Sequence, residues 1–305
     1  MKIKTLQWFK IPRIIRIPKV NGFVYKAVSA AQMRILKNLD VTEYGINNTY
    51  REECVIVSLT TYADRINTVH YTIKTLLNQT YKPDRIILWL ANEFIDKKLP
   101  AELRELQNFG LEIRYCEELR SHKKYYFAMQ EFPNDTIITF DDDIIYPENQ
   151  IEKLIKTHEK FPGCIVANEV NKLVFNENFE LSYQRNEGVA SFGLTPQTML
   201  LPIGCGGVLY PPNCLSKEVF NKENIFNLAY TADDLWLKAM ELKKGVKAVK
   251  TEKWIRTLSC VENSQKTHLA QVNVINGGNE GAMRKILDTY PDIKEVIGNN
   301  RGAVK

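Results

Sequence analysis

Three consecutive carboxylates, Asp141, Asp142 and Asp143, follow directly on an apolar and β-branched run, residues 136–140. This run has no polar face to present to water, so as a strand it would lie in the middle of a sheet that is covered on both sides. Buried central strands of this kind belong to α/β sheets. Ligands of open α/β sheets bind beyond the carboxyl ends of the strands, and the sequence therefore predicts that the three acids face a ligand crevice.

The acidic triplet needs a positive partner, because adjacent carboxylates repel one another. Carboxylate oxygens suit Mg²⁺ or Mn²⁺, and Mg²⁺ usually takes one or two protein carboxylates together with water and substrate phosphate. Side chains alternate along an extended chain, so we expect Asp141 and Asp143 to share a side and Asp142 to face away. A solvated acidic turn is the alternative, and the triplet alone does not decide between the two.

Strands and helices alternate along the first half of the chain. The predicted strands are residues 54–60, 85–90, 111–116, 136–140 and 163–167. Apolar residues at helical spacing after Ile66 and after Ile151 predict helices, and Ser121 is expected to cap another helix that runs to about Phe132. This rhythm indicates an α/β domain with a mostly parallel, doubly wound sheet.

The second half of the chain is harder to interpret. Residues 168–200 show no regular pattern, and an irregular stretch of this length is typical of a functional loop or lid. Three glycines then fall within residues 204–207. Glycines allow the backbone to approach a ligand closely, and the alternative is a tight turn before an edge strand.

Two further acids, Asp233 and Asp234, stand at the start of a predicted helix. Thr231 and Asp234 have the spacing of a capping box, so Asp234 has a structural alternative and Asp233 has none. Near a helix N-terminus both acids should be ionised at neutral pH, which suits a general base better than a general acid.

Composition is that of an ordinary soluble protein, with 44% hydrophobic and 25% charged residues. No apolar run approaches the roughly 20 residues that span a bilayer, and Pro12, Arg13, Arg16 and Pro18 interrupt the N-terminus where a signal peptide would need its apolar core. The six cysteines lie far apart without a CxxC pair, so we expect free thiols in a reducing cytoplasm.

The positive charge is concentrated at the N-terminus. Residues 1–39 contain nine basic side chains and no acid, interleaved with aromatic and aliphatic residues such as Trp8, Phe9 and Ile14. This mixture suits an anionic membrane surface, with nucleic acid as the rival partner. The alternative is a leader or an arm that packs on the body of the protein.

The order of these motifs resembles the GT-A fold glycosyltransferases, closest to the family 2-type bacterial enzymes that build surface polysaccharides. The resemblance covers residues 52 to 285. Its carrying segments are residues 58–62 at the end of the first strand, 75–80 at a helix end, 141–143 in place of the DXD motif, 204–207, and the acidic pair 233–234.

The resemblance implies a GT-A (Rossmann-like) mostly parallel central sheet flanked by helices over residues 51–290, with a basic N-terminal extension (1–50) and a C-terminal tail (291–305). It implies that Asp234 is the catalytic base, with Asp233 beside it, and that Asp143, Asp141 and His268 hold Mn²⁺ or Mg²⁺. An ordinary surface or core histidine is the alternative for His268. The expected donor-binding residues are Thr60, Tyr62, Arg65, Asp141, Asp142, Lys124, Gly206 and Gly207.

The implied reaction moves a sugar from a nucleotide-diphosphate sugar to a hydroxyl of a glycan or lipid-linked acceptor, with inversion, and without nucleic acid. We expect it in the cytoplasm or peripherally on the inner face of the cytoplasmic membrane. Residues 90–93 lack the acidic pair that usually grips the nucleotide base in this family. For Lys123 and Lys124 the alternative is a solvated helix face.

Three other functions are alternatives to a glycosyltransferase. An aspartyl phosphohydrolase normally carries its acids after the first strand, and a sugar nucleotidyltransferase needs a glycine-rich phosphate loop there, which is absent. A non-catalytic glycan-binding or scaffolding protein with the same fold remains the alternative, since fold and function separate easily.

Overall fold

A computed structural model describes residues 30–184, 194–252, 259–261 and 277–300. Its strands, in chain order, are β1 (Val55–Thr60), β2 (Arg85–Ala91), β3 (Leu111–Cys116), β4 (Thr136–Thr139), β5 (Ile144–Ile145), β6 (Ile165–Ala167), β7 (Val170–Phe175), β8 (Leu181–Gln184), β9 (Leu200–Pro202), β10 (Val208–Tyr210), β11 (Ala248–Lys250) and β12 (Ser259–Cys260).

The chain is helical over residues 30–37, here called α1. The later helices are α2 (Val69–Leu77), α3 (Ala101–Glu105), α4 (Lys123–Glu131), α5 (Gln150–Lys160), α6 (Lys222–Ala229), α7 (Asp233–Lys244), α8 (Gly278–Thr289) and α9 (Asp292–Asn300). The five strands predicted in the first half are confirmed, each within two residues of its expected ends.

Seven strands form the central sheet in the order β11-β6-β10-β4-β1-β2-β3. Every neighbouring pair is parallel except those made by β10, which runs antiparallel to both β4 and β6. The predicted α/β class and mostly parallel sheet are therefore confirmed. The edge strand expected after the glycines is wrong, since β10 lies inside the sheet and its Val208 and Tyr210 are buried.

Side-chain alternation divides the core between the two faces of the sheet. Val57 of β1 and Val166 of β6 pack with helices α2, α3 and α5. Ile165 and Ala167 face the other way and pack with α4 and with the helices α6 to α9. Helices thus cover both faces, which explains why the central strands consist almost entirely of apolar residues.

The irregular loop expected over residues 168–200 is wrong in part. Strand β7 pairs antiparallel with β8 and with β9, which makes a separate three-stranded sheet. Its strands contain polar residues such as Asn171, and this mixture concealed the strand pattern. Residues 185–193, including Gly188 and Gly193, lie outside the described residues.

Two distant segments meet behind the acidic triplet. Strand β12 pairs with β5, and the backbone N–H of Val261 donates to the carbonyl of Asp143 at 2.7 Å. Helix α1 packs against the same place through Met33 and Leu36, which contact Ile145 and Val261. The last ten residues of the basic segment 1–39 are therefore attached to the body, while residues 1–29 lie outside the described residues.

No helix in the described ranges is both long and apolar enough to cross a bilayer. All six cysteines are free thiols, as predicted. Cys116 is buried in β3, whereas Cys54 and Cys164 are half-buried just before their strands.

Candidate functional site

The acidic triplet lies at the carboxyl end of β4, in the middle of the central sheet. Its middle member is the most constrained. Asp142 accepts hydrogen bonds from Thr61 Oγ1 at 2.5 Å and Arg65 Nη1 at 2.6 Å, and its carbonyl accepts one from Thr72 Oγ1 at 2.9 Å. The hydroxyl-rich turn after β1 therefore holds the acid that the sequence placed on the far side of the strand.

The predicted alternation of the triplet is wrong. Arg65 Nη1 lies 2.6 Å from Asp142 and 3.0 Å from Asp143, so these two neighbours share one guanidinium. Asp141 points elsewhere, toward Lys124. The physical reason is that β4 ends at Thr139, and a chain that is no longer extended does not alternate its side chains.

Arg65 is a fixed cation in this site. Burial opposes its charge, but Asp142 and Asp143 outweigh burial and raise the pKa of Arg65 above its usual value. Its guanidinium also lies over the ring of Tyr62, 5.2 Å from the ring centroid. Burial in turn raises the pKa of Asp142 above the usual value, although Arg65 and Thr61 act against this rise.

Lys124 is the second fixed cation, and it joins two parts of the chain. Its Nζ lies 2.8 Å from Asp141 Oδ1 and 2.9 Å from Asp233 Oδ2. Burial disfavours its charge, yet Asp141, Asp233 and Asp234 prevail and raise the pKa of Lys124 well above its usual value. The solvated helix face considered for Lys124 is therefore wrong, since only 4% of the residue is exposed.

The start of α4, which carries Lys124, is held by the sheet beneath it. Ser58 Oγ of β1 donates to the carbonyl of Lys124, and Trp89 Nε1 of β2 donates to Ser58 Oγ at 3.0 Å. Ser121 does not cap this helix, because its hydroxyl donates to Asp233 Oδ1 at 2.8 Å. The loop before α4 thus serves the acidic pair instead of the helix.

Asp233 and Asp234 begin α7 on the opposite side of Lys124, and they differ in charge. Burial favours the neutral acid, but Lys124, His122 and the Ser121 hydroxyl lower the pKa of Asp233 below its usual value. For Asp234, burial and the neighbouring charge of Asp233 raise the pKa to about 8. The expectation that both acids are ionised near neutral pH is therefore wrong, since buried carboxylates this close do not both lose their protons easily.

The capping-box alternative for Asp234 is not what the structure shows. The N-cap of α7 is Ala232, without a side-chain cap. Asp234 instead accepts from the backbone N–H of Gly204, at 3.1 Å to Oδ1 and 3.2 Å to Oδ2. Its carboxylate therefore belongs to the site between α7 and the glycine loop.

Two of the three glycines of the 204–207 loop, Gly206 and Gly207, are required by close contacts with the protein itself. A Cβ at Gly206 would lie 2.7 Å from the backbone nitrogen of Glu169, and one at Gly207, where φ is +82°, would lie 2.4 Å from the ring of Phe140. A role of Gly206 and Gly207 in donor binding stays a prediction. Gly204 differs, because its neighbours are the side chains of the site.

Replacing Gly204 with Ala should disturb the site more than the fold. The new Cβ would lie 2.8 Å from Lys124 Nζ and 3.0 Å from Asp234 Oδ1, so it would separate these charged groups. Misplacing reacting groups by about 1 Å can cost about 100-fold in rate. We therefore expect turnover to fall about 100-fold. The free energy of unfolding should fall by only about 1 to 3 kcal/mol.

The matched control for Gly204→Ala is Gly281→Ala, where no atom lies within 4 Å of the added Cβ in helix α8. It should leave turnover unchanged and stabilise the helix slightly, because alanine is the better helix former. Turnover and thermal unfolding of both variants would be compared. Equal turnover of Gly204→Ala and wild type would contradict the close contact described here.

The acids have the chemistry that a hard divalent cation requires. The triplet and the ionised Asp233 supply four carboxylates against the two cations Arg65 and Lys124, so the site has an excess of negative charge even while Asp234 keeps its proton. Within the described ranges no three His, Cys, Asp or Glu side chains form a ready-made metal cluster. One or two carboxylates with substrate phosphate satisfy Mg²⁺, so the residues fit such an ion without a third protein ligand.

Several predicted residues lie at the edges of this arrangement or beyond it. Thr60 Oγ1 donates to the carbonyl of Trp89 at 2.8 Å. His268 lies outside the described residues, so its role stays a prediction. Residues 90–93, where the family usually has an acidic pair, run from the end of β2 into a short 3-10 turn, in which Asn92 and Glu93 are exposed.

Sequence reasoning missed three groups that hold the site. Thr61 and Thr72 fix Asp142, and Ser121 fixes Asp233. The only signal for Thr61 was the hydroxyl-rich turn after the first strand. Ser121 and Asp233 are separated by more than a hundred residues, and nothing local connects them.

Comparisons with known proteins agree with this architecture. Residues 56–205, just under half of the chain, match the family model described as Glycosyl transferase family 2. A mannosyltransferase from Pyrobaculum calidifontis, solved with GDP-Man and Mn²⁺, aligns at 14% identity with a TM-score of 0.46 over 85% of this chain and 70% of that one.

A CMP:2-keto-3-deoxy-manno-octonic acid synthetase complexed with CTP aligns at 12% identity with a TM-score of 0.38, over 65% of this chain and 89% of that one. A search of the curated proteins found no match. Sequence identities of 14% and 12% assign neither residue roles nor substrates to this chain.

Proposed function

We propose that this chain, which carries a glycosyl transferase family 2 domain over residues 56–205, transfers a sugar from a nucleotide-diphosphate donor to a hydroxyl of a glycan or lipid-linked acceptor. The observation that carries the proposal is the position of Lys124. Its Nζ contacts both Asp141 of the triplet and Asp233 of the α7 pair. Two acidic centres that are 92 residues apart in the chain, 141 and 233, thus form one site at the carboxyl edge of the sheet.

The two centres suit the two halves of a transfer reaction. Arg65 and the hydroxyl turn before it lie beside the triplet, and in this proposal they bind the donor phosphates, since guanidinium and hydroxyl groups donate well to phosphate oxygens. Asp234 takes the proton of the attacking hydroxyl in this proposal. A base works best when its pKa is near the working pH, and this favours Asp234 over the firmly ionised Asp233.

Inversion at the anomeric carbon follows from this assignment as part of the proposal. A base on one side of the sugar and a leaving diphosphate on the other give a single in-line displacement. Asp233 has a different part in this scheme. Its charge keeps Lys124 in place and raises the pKa of its neighbour Asp234.

Asp143 would hold Mn²⁺ or Mg²⁺, and the further candidate ligands are His268 and Asp141, whose carboxylate pairs with Lys124 in this structure. When bound, such an ion stabilises the negative charge that develops on a leaving diphosphate. Val261 contacts Asp143 through the backbone, and His268 follows seven residues later in the chain. This connection supports the proposal that the C-terminal segment reaches the donor side of the site.

The acceptor and the cellular place belong to the proposal as well. Residues 1–39 carry the basic and apolar mixture that suits an anionic membrane, and a membrane-bound acceptor would account for it. We therefore place the reaction at the inner face of the cytoplasmic membrane, in the synthesis of a bacterial surface polysaccharide. Deletion of residues 1–29 should abolish sedimentation with anionic vesicles if this is correct.

Calorimetric binding of UDP, GDP and CDP tests the donor site directly. Each nucleotide would be titrated with Mn²⁺ and with EDTA into wild type and Asp143→Ala. We expect one nucleotide to bind in the presence of Mn²⁺ and to bind about 10- to 100-fold more weakly in Asp143→Ala. Removing a residue that only supports a metal ligand already costs about this much in metal affinity, and removing the metal ligand itself should cost at least as much.

Asp288→Ala is the matched control for Asp143→Ala, since it removes an exposed aspartate of α8 that pairs only with a surface lysine. It should bind the nucleotide as wild type does. If no nucleotide binds under either condition, the transferase proposal fails, and a non-catalytic glycan-binding or scaffolding role becomes the better explanation of the fold.

A further inference from the structure

An exposed aromatic and charged stripe runs along helix α6 toward the acidic pair. Lys222, Phe226 and Tyr230 are spaced by four residues, so they lie on one face of the helix. Ile225 and Ala229, on the adjacent face of the helix, are buried. Phe226 is 64% exposed, and its ring centroid lies 4.8 Å from that of the half-buried Tyr230, so the exposed ring adjoins a second ring at the surface.

The connection between β3 and α4 runs alongside this stripe and supplies charged partners. Glu117 forms an ion pair with Lys222 at the start of α6. Arg120 covers the ring of Tyr230 at its end, 4.8 Å from the centroid. Aromatic rings on one wall and charged groups on the other therefore line a strip of surface about two helical turns long.

Arg120 is held in an unusual backbone conformation. Its φ of +50° is in the left-handed region, which non-glycine residues seldom adopt. The carboxylate of Glu118 accepts the Arg120 backbone N–H and fixes this turn. Strained residues of this kind concentrate at ligand-binding positions, where the surrounding structure maintains them.

Three connections hold the stripe near the acidic pair. Tyr230 precedes Asp233 by three residues, a distance of at most about 11 Å along the chain. Arg120 precedes Ser121, whose hydroxyl donates to Asp233. His122 adds a third tie, because its Nε2 donates to the carbonyl of Ala229 at the end of α6. The Cα of Tyr230 therefore lies within about 11 Å of the Cα of Asp233, close to the acidic pair.

We propose that Phe226, Tyr230 and Arg120 form the binding platform for a pyranose of the acceptor glycan. This inference rests on the proposed function, since the acids beside the platform are those assigned to the acceptor hydroxyl. One face of a pyranose presents mainly C–H groups, which pack on aromatic rings, while its edges present hydroxyls that suit Arg120, Lys222 and Glu117. Apolar surface combined with a few placed polar groups is the usual form of a small-ligand site.

Saturation-transfer difference NMR with methyl glycosides of glucose, galactose, mannose and N-acetylglucosamine tests the platform without a donor. At least one glycoside should receive saturation from wild-type protein, most strongly at the C–H protons of one ring face. We expect the signal to fall at least fivefold in Phe226→Ala/Tyr230→Ala, the order of effect that one aromatic contact supplies. Phe226→Ala alone should also reduce the signal. This variant should fold as wild type does, because the Phe226 side chain is exposed.

Tyr50→Ala is the control, because Tyr50 is 92% exposed and lies outside the stripe. It should retain the full signal. The platform is refuted if no glycoside is saturated by wild type, or if the signal survives in the double variant. Its failure is separate from that of the transferase proposal: glycoside binding without nucleotide binding would keep the platform and remove the transfer reaction, and the converse result would remove only the platform.

Discussion

Lys124→Met should lower the free energy of unfolding by about 3 to 5 kcal/mol and abolish measurable sugar transfer. The substitution removes the cation between Asp141 and Asp233 and leaves their buried or half-buried carboxylates without it. Breaking a buried ion pair by removing one partner costs about this much, because the remaining charge is neither solvated nor compensated. Chemical denaturation and a transfer assay would measure the two effects.

Lys123→Met is the matched control, since Lys123 is equally buried but pairs with Glu118, an exposed acid that water can solvate. Its loss of stability should be clearly smaller. The double variant Lys124→Met/Asp233→Asn should recover part of the stability, because one uncompensated charge is removed, while transfer stays absent. A Lys124→Met protein as stable as wild type would refute the role of Lys124 as the link between the two acidic centres.

The sheet could be predicted from the sequence because its central strands are buried on both faces. The run before Asp141 had no polar side. The strands at 85–90 and 111–116 alternated along the chain with segments whose apolar residues have helical spacing. Strand β10 was harder, since its three residues gave no sign that they would lie between β4 and β6. The hairpin of β7 and β8 was missed because polar residues interrupt both strands.

The position of the site could be predicted from the sequence, but the contacts between its side chains could not. Acidic residues at a strand end and at a helix start are visible in any sequence, and their order in the chain suggested a common site. That Arg65 would pair with two neighbours in the triplet depends on β4 ending at Thr139, before the triplet begins. The buried position of Lys124 depends on how α4 lies across β1, a contact between residues 58 and 124 that only the folded chain creates.

The same folded contacts separate the charges of Asp233 and Asp234, which look equivalent in the sequence. Lys124 and Ser121 reach Asp233, whereas Asp234 faces the N–H of Gly204 and the charge of its neighbour. Burial raises the pKa of both acids, and the contacts of Asp233 with Lys124 and Ser121 leave Asp234 as the acid that retains the proton. A pair whose pKa values are pushed apart in this way is what acid and base chemistry at neutral pH requires.

Asp234→Asn should reduce transfer by about 10²- to 10⁴-fold, the contribution of a positioned general base. Asparagine keeps the size of the side chain and its contact with Gly204 but cannot take a proton. For wild type, kcat/KM should rise with pH up to about 8, where Asp234 becomes ionised. Stability should change in the opposite sense: the folded protein retains the Asp234 proton between pH 4 and 8 while the unfolded chain has lost it, so unfolding becomes easier as pH rises.

Asp233→Asn separates the base from its neighbour. Without the charge of Asp233 the pKa of Asp234 should fall, and the rise of kcat/KM should move to lower pH, a shift that a purely structural loss would not produce. Asp288→Asn, on the exposed surface of α8, should leave the profile where it was. If Asp234→Asn retains transfer while Asp233→Asn abolishes it and flattens the profile, the base is Asp233, and Lys124 must release it before each turnover.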